Sequence, residues 1–178
     1  NTTFRKVNAF LRGDPDAEST IRIKENIDAP ETQEAIVTHV AHMWDVFDHS
    51  KTDSPVLLFR GLQDGDKAFP GVWKADDSMV GTEWVEPSPV STSADERVAK
   101  IFAVDAVMRL HVPAGVGAVQ LSGWPTKVAH NREAEVLLQP RLRMRIVADH
   151  SEMKQVGPHE FGVRVFDVVA EVVPDDES

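Results

Sequence analysis

Residues 90–103 read VSTSADERVAKIFA, and the hydrophobic period changes inside that stretch. Val90, Ser91 and Thr92 read as a strand end. Ser93-Ala94-Asp95-Glu96 has the form of a capping box, in which the serine hydroxyl takes an orphan backbone N–H and the glutamate reaches back. The helix predicted from there runs to about Asp105. A strand thus passes directly into a short helix, with hydroxyl side chains at the junction.

Upstream, Val56-Leu57-Leu58-Phe59-Arg60 is a short apolar run closed by a charge and Gly61, which predicts a buried strand. Residues 63–88 are rich in Gly and Pro and read as loop, with Trp73 and Trp84 as candidates for the core. The longest helical signal covers 30–49, where Ile36, Val40, Met43, Trp44 and Phe47 form one stripe. A shorter helix is expected over 3–13, with Phe4, Val7, Phe10 and Leu11 at helical spacing and Gly13 as its stop.

Downstream, Val107 to Val112 and Val116 to Leu121 read as two strands around a Pro113-Ala114-Gly115 turn. Residues 122–132 are loop. Further strands are expected over 133–139, 142–148 and 161–173. Helices first, then many short strands with one inserted helix, make an α+β pattern and not an alternating βαβ one.

The chain has 178 residues, enough for one domain, and no cysteine, which excludes disulfides and thiolate chemistry. Its 29 acids outnumber 19 Lys and Arg, for a net charge of −10. That balance argues against nucleic acid and favours a protein or small-molecule partner. No apolar run approaches the roughly 18 residues that span a bilayer. The sequence begins Asn1-Thr2-Thr3 without an initiator Met or a signal peptide, so 1–178 is read as one domain from something longer.

Three polar features sit where a sheet protein is usually apolar. Arg60 ends a hydrophobic strand, from which a guanidinium can grip phosphate or carboxylate in two places; position alone favours a strand-end ion pair. Ser91 has no capping duty to explain it, and a hydroxyl there can bond a ligand. Glu133 and Glu135 stand at i and i+2 of a strand, on one side, with Cβ atoms about 6–7 Å apart. Two such carboxylates can serve as acid, base or cation stabiliser, or can be a solvated strand end. His39, His42 and His49 lack a completing carboxylate and read as a solvated helix face, not a metal site.

In this order, the features resemble the Arg-Ser-Glu class of mono-ADP-ribosyltransferases, which includes clostridial exoenzymes, binary actin-modifying toxins, arginine-specific vertebrate ectoenzymes and phage-encoded members. FRKVNAFLRG at 4–13 is similar to the family's first helix, LLFRGL at 57–62 to its arginine strand, VSTSADERVAKIFA to its Ser-Thr-Ser strand and helix, and REAEVLLQP at 132–140 to its Glu-x-Glu strand. The resemblance covers nearly the whole chain.

The resemblance implies two roughly perpendicular, mainly antiparallel β-sheets flanked by helices, with NAD as co-substrate in the cleft between them and no metal. It implies that Arg60 holds the NAD phosphates or ribose, that Gly61 offers backbone bonds to the nicotinamide amide, and that Ser91 orients the ribose and Glu135. Thr92 belongs to the same segment. Phe102 falls where the family often places a ring against nicotinamide; the alternative is a core residue beside Val98 and Ile101. Asn8 and Arg12 would reach the adenosine end. Glu135 would stabilise the ribosyl cation, and Glu133 would serve the acceptor, since Glu at that position tends to accompany arginine targets. Trp124, in the loop before, would contact the target or fold onto the domain. The expected function is transfer of ADP-ribose to a protein acceptor, with NAD hydrolysis or NAD binding without turnover as alternatives. A toxin-like or phage effector is implied. Its delivery, by secretion, entry into a host cell or carriage in a virion, stays open.

Overall fold

A computed structural model of the protein describes residues 33–69, 71–121, 134–156 and 159–174. Helix α1 (Gln33–His49) presents the predicted stripe: Val40, Met43 and Trp44 are half-buried and Phe47 is buried, while His42, Asp45 and Asp48 are exposed. Strand β1 (Val56–Leu62) follows, then the single turn α2 (Gly65–Ala68), β2 (Glu83–Glu86), β3 (Val90–Ser93), α3 (Glu96–Phe102), β4 (Ala106–Val112), β5 (Ala118–Gln120), β6 (Glu135–Leu138), β7 (Leu142–Val156) and β8 (His159–Val172). The α+β class is as expected. The helix predicted over 3–13 lies outside the described residues.

The strands form one hydrogen-bonded ladder in the order β2-β7-β8-β4-β1-β3-β6-β5. Every pairing is antiparallel except β4 with β8. Strands β1 and β3 share a single register pair, Phe59 with Ser93. That seam divides the ladder, a single sheet of eight strands, into a part ending at β1 and a part beginning at β3. The main core lies between their inner faces, with Leu58, Leu62, Leu110, Met144 and Phe166 from one side and Val90 and Leu138 from the other. Successive strand residues point to opposite faces, so Phe59 packs instead with a second cluster of Ala99, Ala103, Val107, Val163 and Val165 beneath α3.

Three expectations are corrected. Strands β4 and β5 do not pair with each other. After the turn at Gly115 (φ +86°) the chain is taken up by residues 50–52: Thr52 N–H donates to Val116 O and Ala118 N–H to Ser50 O. This carries β5 away to the edge beside β6. Strand β7 does not stop at Ala148, because the polar residues beyond it are paired, Asp149 with Arg164 and Glu152 with Arg109. Ser93 is not the helix cap. It still belongs to β3, and Asp95 caps α3 by accepting from Arg97 N–H at 2.9 Å, while Ser93 Oγ accepts from Asp95 N–H at 3.0 Å.

The segment read as rich in loop holds α2 and β2 around an aromatic cluster. Phe69 stacks on Trp73 (centroids 6.2 Å) and meets Trp84 edge-on (4.9 Å). Both tryptophans pack against the main core, as predicted. The Arg164 guanidinium lies over the rings of Trp73 and Phe166 and donates to Asp149 and to the carbonyls of Lys74, Ala75 and Asp77, pinning this segment to β8.

Candidate functional site

The seam brings three strand ends together. Phe59 of β1 pairs with Ser93 of β3, and Ser93 pairs with Glu135 of β6, so the three form one row across the ladder. Ser91, two residues back on the same side of β3, donates its hydroxyl to Glu135 Oε1 at 2.7 Å. Thr92 points the other way, is 5% exposed and bonds Val136 O at 2.6 Å. Its role is therefore to lock β3 to β6.

Glu135 is held by its backbone as well. Ala134 has φ 42°, and its carbonyl accepts from Ala94 N–H at 3.0 Å, while Leu121 N–H donates to Glu135 O at 2.9 Å. A left-handed alanine is a strained conformation, costing on the order of 1–3 kcal/mol, and is kept only where its surroundings over-determine it.

A cavity of about 230 Å³ opens over this row. Its floor and sides are Phe59, Arg60, Gly61, Ser91, Thr92, Ser93 and Glu135, and its far wall is the α3 face of Val98, Ala99 and Phe102. Phe102 is 43% exposed, so of its two readings the core one fails. Arg60 and Gly61 also line a second cavity of about 710 Å³, bounded by Phe69, Val72, Trp84 and Val85 with Asp64, Lys67 and Glu86. Arg60 and Gly61 therefore border both spaces.

Gly61 has a structural reason that sequence did not reveal. A Cβ there would stand 2.3 Å from Ala99 O and 2.8 Å from Ala103 N, so α3 can lie this close to β1 only across a glycine. The matching signal was present in the small Ala99 and Ala103 at helical spacing. Val98, Ala99 and Phe59 as cavity walls were also missed, since nothing local tells which face of a two-turn helix meets which strand.

Of the predicted site residues, Arg60, Gly61, Ser91, Thr92, Phe102 and Glu135 converge on one cavity. Glu133, Trp124, Asn8 and Arg12 lie outside the described residues. Among the described residues no group of three or more His, Asp or Glu side chains is placed to hold a metal ion, and no helix is long and apolar enough to cross a membrane.

No protein-family profile and no curated protein matches the chain in sequence. Solved structures do match, among them ADP-ribosylating toxins. The BECa component of a Clostridium perfringens binary enterotoxin, solved with NADH, is 14% identical over 96% of this chain, with a TM-score of 0.61. The enzymatic component C2-I of the Clostridium botulinum C2 toxin is 14% identical over 96%, with a TM-score of 0.63. C3larvin, an ADP-ribosyltransferase from Paenibacillus larvae, is 17% identical over 94%, with a TM-score of 0.60. The chain has the fold of the ADP-ribosyltransferase toxins. It spans 43% of BECa and 44% of C2-I, but 80% of C3larvin.

Proposed function

We propose that this domain is an NAD-dependent mono-ADP-ribosyltransferase that releases nicotinamide and passes ADP-ribose to an arginine of a protein acceptor. The observation that carries the reading is the Ser91–Glu135 hydrogen bond in the lining of a cavity that Arg60, Gly61 and Phe102 also line. The fold it shares with ADP-ribosylating toxins supports it.

The residue types suit the chemistry. Cleavage of the bond between nicotinamide and ribose C1′ sends the electron pair to nicotinamide and leaves an oxocarbenium-like ribose. A carboxylate beside that sugar stabilises the cation where water is excluded. Glu135 takes this role, with Ser91 keeping one oxygen in place so that the carboxylate need not reorganise. The small cavity receives the nicotinamide end, with the Phe102 ring against it and Gly61 backbone groups beside its amide. Arg60, which borders both cavities, faces the phosphates, and the larger space takes what lies beyond. Glu133 accepts the proton from the target guanidinium as its nitrogen bonds C1′. Trp124 meets the target, and Asn8 and Arg12 meet the adenosine. Toxin-like action on a host protein belongs to the same proposal.

The test is nicotinamide release and protein labelling from labelled NAD, run in parallel with cell lysate and followed by mass-spectrometric mapping of the modified residue. Glu135→Gln should abolish both activities, and Arg60→Ala should weaken NAD binding about ten- to a hundredfold. Glu133→Gln should depress labelling by on the order of 10²–10⁴-fold while nicotinamide release by hydrolysis survives. Nicotinamide release without any labelled protein would make the domain an NAD glycohydrolase. Full activity in Glu135→Gln would overturn the site.

A further inference from the structure

On the face of the sheet that α3 covers, the Arg109–Glu152 pair is part of a larger ion network. Arg109 on β4 is the cross-strand partner of Phe59, a cavity wall. Its guanidinium reaches in two directions. Nε and Nη2 donate to Glu96 Oε1 of α3 at 3.0 and 2.6 Å, and Nη1 and Nη2 donate to Glu152 Oε1 and Oε2 of β7 at 2.7 and 2.8 Å. Lys100, one turn along α3 from Glu96, stands 3.4 Å from Glu96 and 3.6 Å from Glu152. The four side chains are between 21% and 29% exposed, so solvent screens them far less than a surface pair such as Arg97 with Asp95.

We propose that Arg109 is a positioning residue for the cavity: by bridging Glu96 to Glu152 it sets where α3 stands, and hence the wall against which the nicotinamide end of the dinucleotide is held. The inference rests on the functional reading above. Its physical basis is that α3 has only 7 residues, too few to keep a place by its own hydrogen bonds. Its C-terminal half is seated by Ala99 and Ala103 against Val107, Val163 and Val165. Glu96 and Lys100, one turn apart, tie the helix to the network. The helix face that carries Val98, Ala99 and Phe102 into the cavity is rigidly joined to the one that carries Glu96 and Lys100, so releasing the second displaces the first. The planar guanidinium makes two hydrogen bonds to each of the two carboxylates in a fixed geometry, which a compact ammonium, with three donors on one atom, does not reproduce.

The test uses two variants that retain charge or shape, Arg109→Lys and Glu152→Gln, in steady-state nicotinamide release from NAD well below the thermal transition, with nicotinamide as product inhibitor. Both should raise KM for NAD and the inhibition constant for nicotinamide by roughly tenfold, the effect of one charge-assisted bond. Their kcat should change by no more than about threefold, because Ser91 and Glu135 stand on β3 and β6. A purely structural network would lower the melting temperature and leave KM and the nicotinamide constant as they were, and that result would overturn the proposal. Wild-type protein separates the two levels. No nicotinamide release by wild type sinks the functional reading and this inference together, whereas wild-type turnover with unchanged constants in both variants sinks the inference alone.

Discussion

Ser91 and Glu135 meet on a diagonal: in the register of β3 and β6, Ser91 faces Leu137 and Glu135 faces Ser93, yet the Ser91 hydroxyl reaches Glu135 Oε1 at 2.7 Å. Diagonal neighbours on one face of an antiparallel pair are within side-chain reach, and the contact aims the carboxylate along the strand toward the cavity. Ser91→Ala removes a hydrogen bond to a charged group, worth about 1.5–3 kcal/mol. Because Ser91 is exposed, the expected loss falls on nicotinamide release, about ten- to a hundredfold, with the melting temperature unchanged. A drop in stability with turnover intact would make Ser91 a scaffold residue.

The cap of α3 separates Asp95 from Ser93. Asp95→Ala removes the acceptor for Arg97 N–H and should lower the midpoint of chemical denaturation. Ser93→Ala removes an acceptor for Asp95 N–H and should cost about 0.5–1.5 kcal/mol, as for an ordinary hydrogen bond. If Asp95→Ala has no effect, the cap lies elsewhere.

Gly61→Ala would drive a methyl group to 2.3 Å from Ala99 O, a backbone atom that cannot swing aside. Helix α3 must then shift outward, at about 1–3 kcal/mol of overpacking. The same shift moves Val98, Ala99 and Phe102 away from the strands. The variant should therefore lose thermal stability and raise KM for NAD together; normal KM in a folded Gly61→Ala protein would show that the cavity width is not set here.

Arg164→Met leaves the Asp149 carboxylate, 6% exposed, with only Met79 N–H at 2.7 Å among the partners described for it. Breaking a buried pair from one side costs about 3–5 kcal/mol. The same change frees the carbonyls of Lys74, Ala75 and Asp77, so limited proteolysis should cut between residues 70 and 80 in the variant before it cuts wild type. A protease-resistant variant with near-wild-type stability would show that the aromatic cluster suffices to hold the segment.

Glu152 has a pKa lowered from 4.5 to about 2, first through its hydrogen bonds to Arg109. A depressed carboxylate stabilises the fold fully above its unfolded pKa, and that stability is lost as pH falls toward the folded value. Wild-type stability should therefore decline between about pH 4.5 and pH 2. Glu152→Gln, which has no proton to gain, should show a shallower decline over the same window in urea unfolding. Parallel slopes for the two proteins would rule out Glu152 as a source of acid sensitivity.

Local pattern was enough to read β1, β3, the stripe of α1 and three of the residues at the cavity, Arg60, Ser91 and Glu135. Hydrophobic period, caps and strand-end charges are set by neighbours in the chain, and Arg60, Ser91 and Glu135 each broke such a pattern. The tertiary structure decided what those neighbours cannot. It took β5 away from β4 because residues 50–52 offered backbone partners, and it moved the cap from Ser93 to Asp95 because Ser93 was already paired across the seam. It carried β7 through the polar run at 149–152 because Arg164 and Arg109 wait on other strands. Each of these is a choice of hydrogen-bond or charge partner far away in sequence. Such a choice is settled only when the folded chain brings the competing partners within about 3 Å of one another.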